Sequence, residues 1–334
     1  MTVIKSGHLK WISKKEFLCP PELPICINDV IYKDNKLYFL NHEKYKNFSP
    51  FFSYDINKYY CIKCKPEYQK LCFHCKKYVA GISIGEKYLI ACEKKNMLKF
   101  YLADSKEDKC KPYKKCLNEK SFCNKPCCNK SCCNKPKKCD KRVFECCKEI
   151  DNLYCHILNA IYDYECSDYI DVTFESIALI ESCKLLLFSL NDGDGNFYIV
   201  MGKYSLNGCE LKIEKCDMKV YKYNLCSIAK KYCINKTLKL EDICYDDDGS
   251  LLILTSYCDD SYQGGYLWHL KWFDKLKLLS CTLKPALGEC CNNYITPYDL
   301  GCKPKCFTFL NCNDIIIVYD KIYNNKFYYE ILKL

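Results

Sequence analysis

Apolar and polar positions alternate along this chain in short stretches, and one unit of the pattern recurs five times. Its clearest copy begins the stretch Leu240 to Asp274. There Glu241 and Asp242 precede Ile243, a turn of Asp246, Asp247, Asp248 and Gly249 follows, and the run Leu251, Leu252, Ile253, Leu254 comes next. A short apolar run bounded by turn residues predicts strand, tight turn, strand. Gly264 and Gly265 then lead into an alternating segment, Tyr266 to Phe273, and Leu276 to Leu283 supplies a fourth strand. Four strands meandering in this way make one blade of a radial array.

The other copies run from Ile27 to Leu40, Val79 to Cys92, Phe174 to Leu190 and Lys305 to Tyr319. The starts of the last three units are 66 and 65 residues apart, and those of the first two 52 apart. The gap of 95 between the second and third falls to blade size once a 45-residue insert, Asp104 to Lys148, is set aside. Linking strands are expected at Phe51 to Tyr60, Leu98 to Ala103, Phe197 to Leu206, Leu211 to Tyr223 and Lys326 to Leu332. Val3 to Ile12 is also strand-like and can join the C-terminal blade, which would close the ring and cover two edges. The fold expected is all-β: a single propeller of five or six four-stranded blades, with a cysteine-rich insert and one short helix. Six is favoured, because the N-terminal strand and Tyr223 to Thr237 can complete a poorly marked blade. The helix is placed near Asp151 to Tyr164, where Leu153, Ile157, Leu158 and Ile161 recur at helical spacing. Propeller residues 1–103 and 149–334 then flank the insert at 104–148.

Composition changes this picture at two points. Thirty tyrosines and sixteen phenylalanines suit half-buried strands. The thirty-two cysteines are dense enough for a secreted disulfide scaffold, yet a chain of 334 residues builds a core without staples. Cysteines at strand positions, such as Cys92, Cys183, Cys244 and Cys281, read as small buried hydrophobes. No apolar N-terminal signal and no membrane-length apolar run occurs, so the expected compartment is the cytoplasm. The net charge of +10 is concentrated in the insert, which holds fourteen Lys or Arg against six Asp or Glu. Its lysines lack interleaved aromatics, which argues against a stacking nucleic-acid site.

CHILNAIYDYECSDYIDVTFESIAL followed by KLLLFSL resembles a bacterial propeller family of unknown function, similar to esterase-like phytase and calcium-dependent lactonase-type propellers. That family's strand motif, Glu-Gly-(Leu or Ile)-Ala, aligns with Glu175, Ser176, Ile177 and Ala178. Ser176, Asp242 and Cys306 stand where the pattern usually has glycine, and Lys305 replaces a third acid. The resemblance implies a hydrolase with a metal in its central channel.

Four candidate sites follow. Asn28, Glu175, Glu241 and Lys305 occupy matched positions on the innermost strands and are expected to line the channel. Glu175 and Glu241 would there hold calcium, serve as catalytic acid and base, or tie the blades together through Lys305. Asn191 to Asn196, NDGDGN, starts like a calcium loop but lacks its later ligands, and reads as a glycine-rich turn. Cys61, Cys64, Cys72 and Cys75 form two CxxC pairs with His74 adjacent, a donor set for tetrahedral zinc. The insert repeats CNKPC and CNKSC through Cys123, Cys127, Cys128, Cys132, Cys133 and Cys139, with little to bury. It suits soft-metal binding or intermolecular crosslinking. No Walker, GxGxxG or GxSxG motif is present. The leading expectation is a non-enzymatic binding or structural protein that meets a protein partner or itself, in a setting such as a bacterial spore surface. The alternative is the metal-dependent esterase, lactonase or phytase-like hydrolase.

Overall fold

The structure, a computed structural model, describes residues 1–10, 25–43, 51–63, 67–71, 73, 75, 77–107, 147–245, 250–258, 262–271, 296–323 and 326–334. After β1 (Thr2–Lys10), the first blade is built from β2 (Ile25–Lys33), β3 (Lys36–Glu43), β4 (Phe51–Asp55) and β5 (Glu67–Leu71). The second holds β6 (Lys77–Ile84), β7 (Lys87–Lys94) and β8 (Met97–Ala103). β9 (Ser105–Glu107) then crosses back to pair with β5, and β10 (Cys147–Ile150) returns to pair with β8. The insert is therefore rooted at the outer rim, between the first two blades.

α1 (Leu153–Glu165) leads into the third blade, β11 (Thr173–Ile180), β12 (Leu185–Asn191) and β13 (Asn196–Asn207). Its outer strand comes in two pieces, β14 (Glu210–Ile213) and β15 (Lys219–Asn224), both antiparallel to β13. α2 (Leu225–Lys230), capped by Asn224, whose side chain accepts from the Ser227 N–H at 2.7 Å, connects to the fourth blade. That blade is β16 (Lys239–Tyr245), β17 (Ser250–Cys258), β18 (Gln263–Lys271) and β19 (Thr296–Asp299). The fifth is β20 (Pro304–Phe309), β21 (Asp314–Tyr323) and β22 (Lys326–Lys333), completed by β1 on β22.

The ring thus has five blades, and its innermost strands close in the order β2, β6, β11, β16, β20 and back to β2. The sixth blade expected from the sequence is absent from this ring for two reasons. The N-terminal strand joins the last blade, and Tyr223 to Thr237 holds the end of β15 and then α2. Leu276 to Leu283 and the turn at Asp246 to Gly249 lie outside the described residues. The fourth strand of that blade is β19.

Both sides of each blade face a neighbour, so the second strands are buried on both faces and read as unbroken apolar runs. Among the described residues the core falls into five layers, one at each blade boundary. The period of two is visible in β17. Leu251 and Ile253 pack toward the third blade, whereas Leu252 and Leu254 pack toward the fifth. Cys92 and Cys183 are buried and Cys244 is half-buried, while Cys281 lies outside the described residues. Because successive strands are antiparallel, the turns from first to second strand all lie on one face. α1 and α2, which precede inner strands, lie on the other. No helix among the described residues is long and apolar enough to cross a membrane.

Candidate functional site

Every inner strand carries a β-bulge at the same level. The extra residues are Asn28, Val79, Glu175, Glu241 and Lys305, each unpaired against the second strand of its blade. A bulge turns the extra residue out of the ladder and bends the strand locally. The four matched positions singled out in the sequence are therefore four of these bulges, and Val79 is the fifth.

The structure gives these side chains close partners. Glu241 accepts from Lys305 Nζ at 2.9 Å and from Ser256 Oγ at 2.6 Å, so both carboxylate oxygens are engaged. Its side chain is 2% exposed. Glu175 accepts from Asn191 Nδ2 at 2.9 Å and lies 3.4 Å from Lys239 Nζ. Burial raises its carboxyl above the usual range, against the pull of Lys239 and Asn191. Asn191 also donates to the Leu240 carbonyl at 3.0 Å, and Asn28 donates to the carbonyl of Tyr78. Each of these two bonds reaches the residue just before the bulge of the next blade.

One residue further on lies a second ring that sequence reasoning did not single out. Asp29 accepts from the N–H of Val30 and, across the blade boundary, from that of Gly81, both at 2.7 Å. Asp242 accepts from Ile243 at 2.8 Å and across the next boundary from Phe307 at 3.0 Å. Ser176 Oγ accepts from Ile243 at 3.0 Å. In each case the side chain after one bulge holds the N–H two residues past the next bulge. Ala80 and Cys306 occupy the same place in the other two blades. The signal was present as the second member of a polar pair in these inner strands, Asn28–Asp29, Glu175–Ser176 and Glu241–Asp242.

Burial pushes the Asp242 carboxyl up to about 7, against the N–H of Phe307, the Ser176 hydroxyl, the N–H of Ile243 and Lys305. Asp29 is also held well above its ordinary value, by burial and then by the charge of Asp242. Burial pulls the Lys305 ammonium down, but Glu241 and then Glu175 outweigh it and hold the group above its ordinary value. Lys305 thus acts on Asp29, Glu175, Glu241 and Asp242 together.

A cavity of about 480 Å³ opens beyond this ring, on the face of the first turns. Asp29 and Asp242 line it, with Ile82, Ile177 and Phe307 as walls and Cys312 at its mouth; Asn28, Glu175, Glu241 and Lys305 do not line it. Calcium, which takes six to eight oxygen ligands, does not fit this set. The Glu241 oxygens face an ammonium and a hydroxyl, and the oxygens of Asp29 and Asp242 already accept backbone N–H groups. Among the described residues, no three His, Cys, Asp or Glu side chains gather as they would around a metal ion.

NDGDGN forms the hairpin turn from β12 to β13. Asp192 accepts from the N–H of Asp194 at 2.9 Å and of Asn196 at 3.1 Å. Of the proposed zinc donors, Cys61 is exposed and 3.2 Å from Lys5 Nζ, and Cys75 is buried, with its thiol raised by burial. Cys64, Cys72 and His74 lie outside the described residues, as do Cys123, Cys127, Cys128, Cys132, Cys133 and Cys139. Cys147, at the root of the insert, is disulfide-bonded.

Neither a family model nor a curated protein matches the chain. Among solved structures it is similar to the β-propeller domain of Nup133 from Vanderwaltozyma polyspora, at 11% identity and a TM-score of 0.37. That match covers 91% of this chain and 72% of the other. It is similar also to PpgL, the periplasmic gluconolactonase of Pseudomonas aeruginosa, at 8% identity and a TM-score of 0.37, over 90% and 83% of the two chains. Neither likeness bears on chemistry.

Proposed function

We propose that this protein is a non-catalytic propeller that binds a protein partner or further copies of itself through its faces, and is held in assemblies by its cysteine-rich insert. The observation that carries this is the occupation of the central polar groups. Glu175, Glu241, Asp29 and Asp242 each bond within or across the blades, which makes them struts of the ring. The insert supports the same reading, because the strands that flank it, β9 and β10, place both of its ends on the outer rim. An assembled cysteine-rich layer, such as a bacterial spore surface, would use these properties together. Non-reducing electrophoresis and size-exclusion chromatography test it. Higher oligomers are expected without reductant and monomer with it, and identical behaviour under both conditions would sink the proposal.

A second reading, a hydrolase of esters, lactones or phosphate esters, draws on one feature: Asp29 and Asp242 face an open cavity, with carboxyls that burial raises above the usual range, that of Asp242 to about 7. Its test is hydrolysis of such substrates by the wild-type protein, with loss of turnover in Asp29→Asn and Asp242→Asn.

A further inference from the structure

We propose that the folded propeller body, and not the insert alone, is a multivalent crosslinking surface whose partner is further copies of this chain. The inference rests on the assembly reading above and assigns it particular thiols. The described cysteines range from buried through half-buried to exposed. Cys75, Cys92, Cys183 and Cys306 are buried, and burial raises the thiols of Cys75 and Cys306, which leaves them poor nucleophiles. Cys61, Cys155, Cys166, Cys216, Cys233 and Cys312 are exposed and not disulfide-bonded, and Cys258, at the end of β17, is exposed as well.

The topology spreads the first six over the whole disc. Cys61 follows β4, and Cys312 sits in the turn from β20 to β21, so both lie on the cavity face. The same face holds the contact in which Tyr60 meets Asn311 and Asp314. Cys155 lies on α1, Cys166 caps its C-terminus, and Cys233 follows α2, so these three lie on the opposite face. Cys216 lies in the break between β14 and β15, on the outer rim. A single exposed thiol allows only dimers. Thiols on two opposite faces allow stacks, and a thiol on the rim allows branches between stacks, so the body by itself can build a network.

Each crosslink joins two Sγ atoms as two protons and two electrons pass to an oxidant. With dioxygen the product is hydrogen peroxide. With a low-molecular-weight disulfide, successive thiolate exchanges release two small thiols.

The experiment compares three full-length proteins, reduced and then exposed to oxidised glutathione: the wild type, a body variant and an insert variant. The body variant carries serine at Cys61, Cys155, Cys166, Cys216, Cys233, Cys258 and Cys312. The insert variant carries serine at Cys123, Cys127, Cys128, Cys132, Cys133 and Cys139. Mass is read by light scattering and by non-reducing gel, and circular dichroism before oxidation confirms that each protein folds. The wild type and the insert variant are expected to form large multimers. The body variant should show a severalfold lower average mass, and mass spectrometry should find intermolecular disulfides at Cys312 or Cys233 in the first two. A body variant that polymerises like the wild type overturns this inference and leaves the assembly reading intact. A wild type that does not crosslink at all overturns both.

Discussion

Asp242 on the fourth inner strand accepts the backbone N–H of Phe307 on the fifth, at 3.0 Å, with the carboxylate buried between the two blades. The N–H of Phe307 thus finds its acceptor in the neighbouring blade, and the bond joins two sheets that also meet through the Lys305–Glu241 ion pair and through apolar side chains. Asp242→Ala removes this acceptor and leaves the N–H of Phe307 buried without a partner. An unsatisfied buried donor costs about 1–3 kcal/mol. The urea midpoint of unfolding should fall accordingly with an unchanged slope, whereas Ser176→Ala should cost less, since Asp242 still holds the N–H of Ile243.

The same carboxyl makes stability depend on pH. Asp242 titrates near 7 in the folded protein and near 4 in an unfolded chain, so the folded state binds the proton more tightly. Stability is therefore greatest below the unfolded value and falls as pH rises from about 4 through about 7, by up to about 4 kcal/mol for this group. Asp29 adds a contribution of the same sign. Asp55 and Glu149, held low by Lys63 and Lys99, act in the opposite sense and only at more acid pH. Melting temperatures of the wild type and Asp242→Asn across this range should lie closest at low pH, where Asp242 is protonated, and separate as pH rises, with the variant the flatter curve. Parallel curves would show that Asp242 does not carry the dependence.

How far this fold can be read from sequence is clearest at Leu251 to Leu254. A strand covered on both sides by neighbouring blades must be apolar at every position, so the five hairpins stand out as runs. Blade number was harder to read, because the N-terminal strand and Tyr223 to Thr237 were free to be read as a sixth blade, whereas the first is recruited by β22 and the second carries the short helix α2. The matched positions Asn28, Glu175, Glu241 and Lys305 are visible because a bulge repeated in every inner strand leaves one outlying residue per cycle. Asp29 and Asp242 were obscured by that neighbour. Their role depends on which N–H the next blade leaves open, and the order of blades around an axis is set by tertiary packing, which no local pattern records. Ser176 and Asp242, where the resembling family has glycine, both became blade-to-blade contacts.

Lys305 and Glu241 offer a test of charge balance at the bulge level. Glu241 is almost fully buried, and Lys305 is the cation bonded to it. Lys305→Met leaves that carboxylate with Ser256 alone, and breaking a buried pair from one side costs about 3–5 kcal/mol. Adding Glu241→Gln removes the stranded charge and should restore much of the loss. Urea denaturation of the two single variants and the double variant gives the coupling energy directly. Additive single effects would show that the two groups do not act as a pair.

Gly265, near the start of β18, lies where the fourth blade packs against the start of the fifth. A Cβ at this position would lie 2.2 Å from Cδ of Pro304 and 2.4 Å from the carbonyl oxygen of Thr255. Neither neighbour can yield easily: one is a proline ring at the start of β20, and the other is backbone within the β17–β18 ladder. The clash must therefore push the two blades apart, at the boundary that Asp242 also spans. Overpacking of this kind typically costs about 1–3 kcal/mol. Gly265→Ala is expected to lower the melting temperature and to speed hydrogen exchange at Phe307, whose N–H depends on the spacing of these blades. In contrast Gly208→Ala, where a Cβ would meet nothing within 4 Å, carries only the strain of a positive φ of 55°. Its effect should be the smaller of the two and should leave exchange at Phe307 unchanged.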